Sequence, residues 1–162
     1  MNYLDQTKDE SRWKRKDGTR MGELEYSFSV TLTAYPRGFK VGKNYPKERF
    51  AFVLFSIITF CLVAGLVAYR PVPGLLVFVL PMFMGLFMTA WATHDHHAGL
   101  DTDSHFEASY NNLNPLYNKL TGNLGYHTAH HYKQGIHWSK LPALHAKIAD
   151  KIPDHLIEQN LV

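Results

Sequence analysis

The stretch FAFVLFSIITFCLVAGLVAY, residues 50–69, decides the fold because it contains no charged residue. An α-helix rises about 1.5 Å per residue, so about 20 residues cross the hydrocarbon core of a bilayer, which is roughly 30 Å thick. A run this long and uniformly apolar exceeds what the core of a 162-residue soluble domain requires. We therefore expect a membrane-spanning helix over this stretch.

A second uncharged run, residues 75–93, follows the short break RPVPG, residues 70–74. So short a connection predicts a helical hairpin of two spans, with Pro81 kinking the second one, because neighbouring helices tolerate proline in membranes. The break holds one basic residue, Arg70, whereas the loop before the first span holds five, at Arg37, Lys40, Lys43, Lys47 and Arg49. The positive-inside tendency then predicts that both termini lie in the cytoplasm.

The chain therefore divides into a polar, basic and interfacial segment (1–49), a two-helix transmembrane hairpin (50–93) and a histidine-rich region (94–162). The predicted fold class is an all-α membrane protein, in which the transmembrane helical hairpin carries a cytoplasmic helical region rich in histidine. The net charge is only +3, and no basic stripe with interleaved aromatic residues is present, so we expect no nucleic-acid partner.

Three local patterns refine this picture. Residues 24–34 alternate between apolar and polar in the manner of a strand, but a single strand is not stable alone, so we favour an interfacial helix or an irregular segment. Proline and glycine residues at positions 36–46 predict a loop. Leu144 and Ile148 share one helical face, which predicts a short amphipathic helix over residues 142–151.

The motif GYHTAHH, residues 125–131, carries the chemistry. On a helix, His131 lies four residues after His127 and His130 lies three after it, so the three imidazoles share one surface. Neutral imidazole is a common ligand for iron, zinc and copper. With ten histidines in the chain, chance would produce about 0.04 matches to the spacing H-x-x-H-H. The motif therefore predicts a metal site.

A second cluster, His94-Asp95-His96-His97, comes directly after the second apolar run. About thirty residues separate it from the motif, which is enough chain to bring the two clusters together. Carboxylates and amides orient ligating histidines, and nearby candidates for this role are Asp95, Asp101 and Asn123. The histidines expected on the surface are His105, His145 and His155. Zinc hydrolysis is disfavoured because the motif lacks H-E-x-x-H and contains no glutamate to act as base.

The block NLGYHTAHH, residues 123–131, followed by HWSKLP, residues 137–142, resembles the third histidine box of the membrane fatty acid desaturase superfamily. The segment HHAGLD, residues 96–101, resembles the part that precedes it, which usually reads Q-H-A followed by an acidic residue. The resemblance implies four metal ligands, which are His97, His127, His130 and His131. Further metal-binding or ligand-orienting candidates are His94, His96 (where the family often has glutamine), Asp101, Asn123 and His137.

The resemblance also implies a cofactor, a reaction and partners. The cofactor would be two non-haem Fe ions, which would use O₂ and electrons from a carrier such as ferredoxin or cytochrome b5 to desaturate an acyl chain of a membrane lipid. The family pattern includes two earlier histidine boxes, yet no histidine precedes His94. We therefore expect this chain to be the C-terminal portion of a desaturase, inactive without the missing N-terminal half.

Three alternatives stay open at this point. The first is a hydroxylase or ketolase of the same superfamily that acts on carotenoids, sterols or alkanes, which a new oxygen in the product would distinguish from a new double bond. The second is a non-catalytic membrane metal-binding protein, which would bind metal without any partner chain. The third is a half-enzyme that needs a second polypeptide carrying the missing boxes.

Overall fold

The computed structural model describes residues 11–160, and most of them are helical. In chain order, the α-helices of this range are α1 (Glu23–Leu32), α2 (Ala34–Val41), α3 (Pro46–Tyr69), α4 (Pro71–Gly74), α5 (Leu80–His97), α6 (Pro115–Thr121), α7 (His127–Tyr132) and α8 (Leu141–Ile148). A π-helical turn, Leu75–Val79, joins α4 to α5. Two strands of two residues each, β1 (Asn111–Asn112) and β2 (Ile157–Glu158), pair in parallel.

Two of these helical segments are long and apolar enough to cross a membrane, as the sequence predicts. They are α3, with 24 residues, and the continuous segment Pro71–His97, with 27 residues. None of the residues of α3 is buried in the protein, so its apolar side chains are available to lipid. The prediction of two apolar helices joined by a short break is therefore confirmed.

Pro81 is the second residue of α5, and the π-helical turn ends two residues before it, at Val79. A proline inside an α-helix lacks an N–H donor, and its ring collides with the carbonyl four residues earlier. In the wider π-helical turn, Leu80 donates its N–H to the carbonyl of Leu75, five residues back. The carbonyls before the proline are thus already displaced from the α-helical pattern, which explains how the helix continues past Pro81.

The segment before the first span is helical, although the sequence predicted a loop over part of it. Residues 24–34 fall largely within α1, which confirms the helical interpretation over the strand pattern. The loop prediction is wrong for residues 36–41, which lie in α2. Pro36 is compatible with the first turn of α2, where a backbone N–H has no acceptor in the helix. Gly38 allows close packing, since a Cβ there would lie 3.0 Å from Cζ of Phe52.

The chain separates into two units. One unit comprises residues 22–92, and the other comprises the described parts of residues 1–21 and 93–162. The second unit has an apolar core, and its most buried members are Ala129, Leu141, Ile148, Ile152 and Leu156. Helix α8 supplies two of them, which confirms the amphipathic helix expected there. The parallel pairing of β1 with β2 was not predicted, because a strand of two residues carries no periodic signal.

The turn of the hairpin depends on a close contact between α4 and α3. A Cβ added at Gly74 would lie 2.7 Å from the backbone Cα of Val67, a separation that side-chain rotation cannot relieve. The same addition at Gly65, within α3, would meet no atom within 4 Å. The two glycines therefore form a matched pair for testing how tightly the hairpin is packed.

We expect Gly74→Val to destabilise the protein by about 1–3 kcal/mol, because the two helices must separate to admit the side chain. The measurement is the midpoint of thermal unfolding in detergent, followed by circular dichroism. Gly65→Val is the control and should leave the midpoint near that of the unmodified protein. Equal midpoints for the two variants would contradict the close packing at the turn.

Candidate metal centre

Three imidazoles converge at one point in the second unit. His97 is the last residue of α5, while His127 and His131 lie one turn apart on α7. The Nε2 atom of His97 lies 3.1 Å from that of His127 and 3.1 Å from that of His131. The Nε2 atoms of His127 and His131 are 3.0 Å apart. Among residues 11–160, this is the group of histidine, cysteine and carboxylate side chains that is close enough to hold one metal ion.

The hydrogen bonding of His97 fixes which of its nitrogens faces the group. Its Nδ1 atom lies 2.8 Å from the backbone carbonyl of Ala108. A carbonyl oxygen can only accept, so Nδ1 carries the proton, and the Nε2 atom of the neutral ring presents a lone pair to the other two histidines. A second nitrogen of the site, Nδ1 of His127, is buried without a hydrogen-bond partner in the described range. A metal ion can accept the converging lone pairs, so these residues fit a metal.

The composition of the group also bears on the type of metal. Its three nitrogens lie 3.0–3.1 Å from one another, and all three belong to imidazoles. Imidazole nitrogens bind iron, zinc and copper, so the group fits any of these metals.

The electrostatic environment keeps two of the three histidines of α7, His127 and His131, neutral. Burial is the main cause that lowers the pKa of His127 well below its ordinary value, and the neighbouring imidazoles lower it further. Burial likewise lowers the pKa of His131 to about 3, with an added contribution from the neighbouring imidazole of His97. Since only the neutral ring has a lone pair to donate, both side chains are ready to bind a metal at neutral pH.

His96 supports this group from one side. Its ring stacks on that of His127, with a centroid separation of 4.1 Å and an angle of 9° between the planes. Its Nδ1 donates to the carbonyl of Tyr110 at 3.0 Å, and its Nε2 lies 3.2 Å from the hydroxyl of Tyr117. Burial raises the pKa of Tyr117, so its hydroxyl keeps the proton that it donates to His96. Both nitrogens of His96 are therefore engaged in hydrogen bonds, and its ring packs flat against that of His127.

Two other predicted histidines lie near the group but outside it. The ring of His130 is 5.8 Å from that of His127 and 5.5 Å from that of His131, measured between centroids. His94 is buried, and its Nε2 lies 3.1 Å from the carbonyl of Met21. A carbonyl accepts, so this nitrogen of His94 is a donor and has no lone pair to offer to a metal.

The remaining candidates are placed away from the three converging nitrogens. Asp101 forms an ion pair with Lys14 at the surface. Asn123 donates from its amide nitrogen to the carbonyl of Trp138 at 3.3 Å. His137 is exposed, and its Nδ1 lies 2.8 Å from the hydroxyl of Ser139 in the turn after α7. These three side chains stabilise the loops around the site.

The expectation that His145 is a surface residue is wrong, because it is buried at 6% exposure on the inner face of α8. Its ring packs against Tyr126 with a centroid separation of 5.2 Å. Burial lowers the pKa of this side chain. The sequence did contain a signal, since position 145 follows Leu141 by four residues and precedes Ile148 by three, on the face that forms the core.

A buried polar network, which the sequence did not reveal, holds the helix that carries the motif. Asn111 is fully buried, and its Oδ1 accepts from the backbone N–H of Thr128 at 3.0 Å. Its Nδ2 donates to the hydroxyl of Thr128 at 2.8 Å, and that hydroxyl lies 2.8 Å from the hydroxyl of Ser109. Thr128 directly follows His127, so the network fixes the start of α7 and hence the direction of its histidines.

Gly125 brings the same segment against the strand β1. Its carbonyl accepts from the N–H of Asn112 at 3.0 Å, and its own N–H donates to Oδ1 of Asn118 at 3.0 Å. A Cβ at position 125 would lie 1.9 Å from the carbonyl oxygen of Asn112, so only glycine fits here. The glycine of the motif thus serves close packing of the backbone rather than metal binding.

We expect Asn111→Ala to destabilise the protein by about 1–3 kcal/mol, because it leaves the buried N–H of Thr128 without an acceptor. The same change should weaken metal binding, since α7 is no longer held at its start. The measurements are the midpoint of thermal unfolding and a titration of the metal-free protein with Co²⁺, followed by its visible absorption. Asn44→Ala removes an exposed asparagine of the first unit and is the control. If Asn111→Ala kept both the stability and the metal binding of the unmodified protein, the positioning role of Asn111 would be contradicted.

The lowered pKa of His131 predicts a dependence of stability on pH. In the unfolded chain, His131 binds a proton below its ordinary pKa of 6.5. In the folded protein, the same side chain binds a proton only below about pH 3. The free energy of unfolding of the metal-free protein should therefore be constant above about pH 6.5 and should fall as the pH drops toward 3. Thermal unfolding between pH 7 and pH 4 measures this fall.

His131→Gln is the matched variant, because it removes the titrating group. The unfolding midpoint of this variant should fall less steeply over the same pH range. A parallel fall in both proteins would show that other groups cause the dependence.

Comparison with known proteins gave one finding. The family model described as "Fatty acid desaturase" matches residues 2–161 of the chain. The searches of curated proteins and of solved structures gave no match. The family match spans both the apolar helices and the converging histidines, so the two features belong to one family pattern.

Proposed function

This chain belongs to the fatty acid desaturase family, and from that premise we propose that it takes part in the O₂-dependent desaturation of fatty acyl chains at a non-haem di-iron site. Membership of the family, together with two helices suited to a bilayer, makes it a desaturase-type oxidoreductase of membranes. The observation that carries the finer proposal is the convergence of three Nε2 atoms within 3.0–3.1 Å of one another.

The proposed reaction removes two hydrogens from adjacent methylene groups of an acyl chain. Two C–H bonds break and one C=C bond forms, which releases two electrons and two protons. Two further electrons and two further protons come from an external carrier, for which we propose ferredoxin or cytochrome b5, and the four electrons reduce O₂ to two water molecules. The bound iron ions would supply the activation of O₂ that an unactivated C–H bond requires.

The side chains of the site have separate roles in this proposal. His97, His127 and His131 would hold one iron ion, and His130, whose ring adjoins theirs, would bind the second. The hydrogen bond from Nδ1 of His97 to a backbone carbonyl is the usual means of orienting a ligating imidazole and raising its basicity. His96 would stay outside the coordination sphere, because both of its nitrogens are engaged.

Four histidines do not complete the coordination of two iron ions, so the proposal requires further ligands. We assign them to a polypeptide segment that carries the other two histidine boxes of the family pattern. The basic residues at positions 37–49, before the uncharged run, support a cytoplasmic location for both ends of the hairpin. The site would then lie at the cytoplasmic mouth of the spans, where an acyl chain can enter from the bilayer.

The experiment is to express the chain in a membrane host together with a segment that supplies the other two boxes. Iron in the purified protein is measured by mass spectrometry, and the host lipids are analysed for new products. We expect His97→Ala, His127→Ala and His131→Ala each to lower the iron content by about half, from two ions to one, because the three nitrogens share one of the two ions. His155→Gln changes an exposed histidine and should keep the iron content of the unmodified protein.

The products and the metal decide between the alternatives. A new double bond in the acyl chains, lost in the three alanine variants, supports the proposal. A new hydroxyl or keto group would replace it with the hydroxylase or ketolase function. Zinc in place of iron, or iron without any oxidised product, would overturn it in favour of a metal-binding protein.

A further inference from the structure

A groove of about 300 Å³ opens at the start of α3, within the first unit. Its lining is formed by Gly42, Lys43, Pro46, Arg49, Phe50 and Val53. We propose that this groove binds an anionic phospholipid, with the phosphate on the two cations and an acyl chain along the apolar residues. The proposal does not depend on the metal centre or on its chemistry.

The two cations of the groove are available to an anion. In the described part of the chain, neither Lys43 nor Arg49 has an ion-pair partner, and both side chains are exposed. The planar guanidinium of arginine matches the geometry of a phosphate and can donate two parallel hydrogen bonds to it. Lysine adds a point charge, so the two side chains together make one end of the groove positively charged.

The apolar part of the groove continues along α3 in the direction of the span. Phe50 is 70% exposed although it is a large aromatic residue, and Val53 follows one turn later. Both belong to the uncharged run 50–69, which is long enough to cross the bilayer. Along the groove, the positive side chains come first and the apolar side chains follow toward the span. A phospholipid matches this order, because its phosphate lies at the membrane interface and its acyl chains extend inward.

A close contact between Gly42 and Arg49 gives the groove its shape. A Cβ at position 42 would lie 3.1 Å from Cβ and 3.2 Å from Cγ of Arg49, so the stem of the arginine passes directly over the glycine. A larger residue at position 42 must displace that side chain while leaving every charge in place. Gly42→Leu therefore tests the built site separately from the net charge of the loop.

A diffuse attraction between basic residues and an anionic membrane is the competing explanation. Lys47 distinguishes a built site from a diffuse attraction. It is exposed and lies in the same turn of α3 as Arg49, but it does not line the groove. A diffuse attraction loses about the same affinity whichever cation is removed. A built site loses affinity only when a lining residue changes.

The experiment measures lipid binding to the whole chain in detergent by native mass spectrometry, with phosphatidylglycerol and phosphatidylcholine of identical acyl chains. We expect tighter binding of phosphatidylglycerol, and a loss of about fivefold in Lys43→Gln, Arg49→Gln and Gly42→Leu. Lys47→Gln should stay within twofold of the unmodified chain. Circular dichroism confirms that each variant keeps its helical content.

Each other outcome overturns the proposal. Equal binding of the two lipids by the unmodified chain would show that the groove recognises only acyl chains, whatever the behaviour of the variants. An equal loss in Lys47→Gln and Arg49→Gln would show a diffuse attraction. Displacement of phosphatidylglycerol by millimolar inorganic phosphate would show that the cations bind a free anion rather than a lipid headgroup.

Discussion

The hydrogen bond between Nδ1 of His97 and the carbonyl of Ala108 is the interaction on which the arrangement of the candidate metal centre depends. It fixes the proton on one side of the ring and so places a lone pair on the other side, among the Nε2 atoms of His127 and His131. Without it, the ring could turn or exchange its proton, and the nitrogens would no longer all face one point. A backbone carbonyl is suited to this task because it accepts hydrogen bonds and never donates them.

The rest of the second unit is arranged around the segment 108–112, which connects the two helices of the site. Alternate carbonyls of this segment, from Ala108 and Tyr110, receive the N–H groups of the two adjacent histidines at the end of α5. The side chain of Asn111, the residue directly after Tyr110, holds the start of α7 through Thr128. One short stretch of backbone therefore sets the direction of histidine side chains from two helices that are distant in sequence.

The features predictable from sequence were those that periodicity and spacing encode. The apolar run 50–69 is identified by its length and its lack of charge, whereas the amphipathic helix at Leu141–Ile148 and the motif 125–131 have a spacing that identifies the helical face. The network around Asn111 has no such repeat, because its partners are brought together only by the tertiary fold. The burial of His145 follows from its position on α8, on the same face as Leu141 and Ile148. The residue type alone, which is polar, predicts the surface instead.

The arrangement of the site also explains why so much polar structure surrounds it. Nitrogen lone pairs that point at one another inside a protein repel unless a cation accepts them. The fold must therefore hold the three imidazoles in place against this repulsion. Apolar packing alone resists such a force poorly, because side chains can shift without losing much contact. The buried hydrogen bonds to Thr128, which are lost if α7 rotates, provide directional resistance instead. The repulsion between the converging nitrogens lowers the stability of the metal-free protein. A bound cation would remove this repulsion, so the same arrangement favours metal binding.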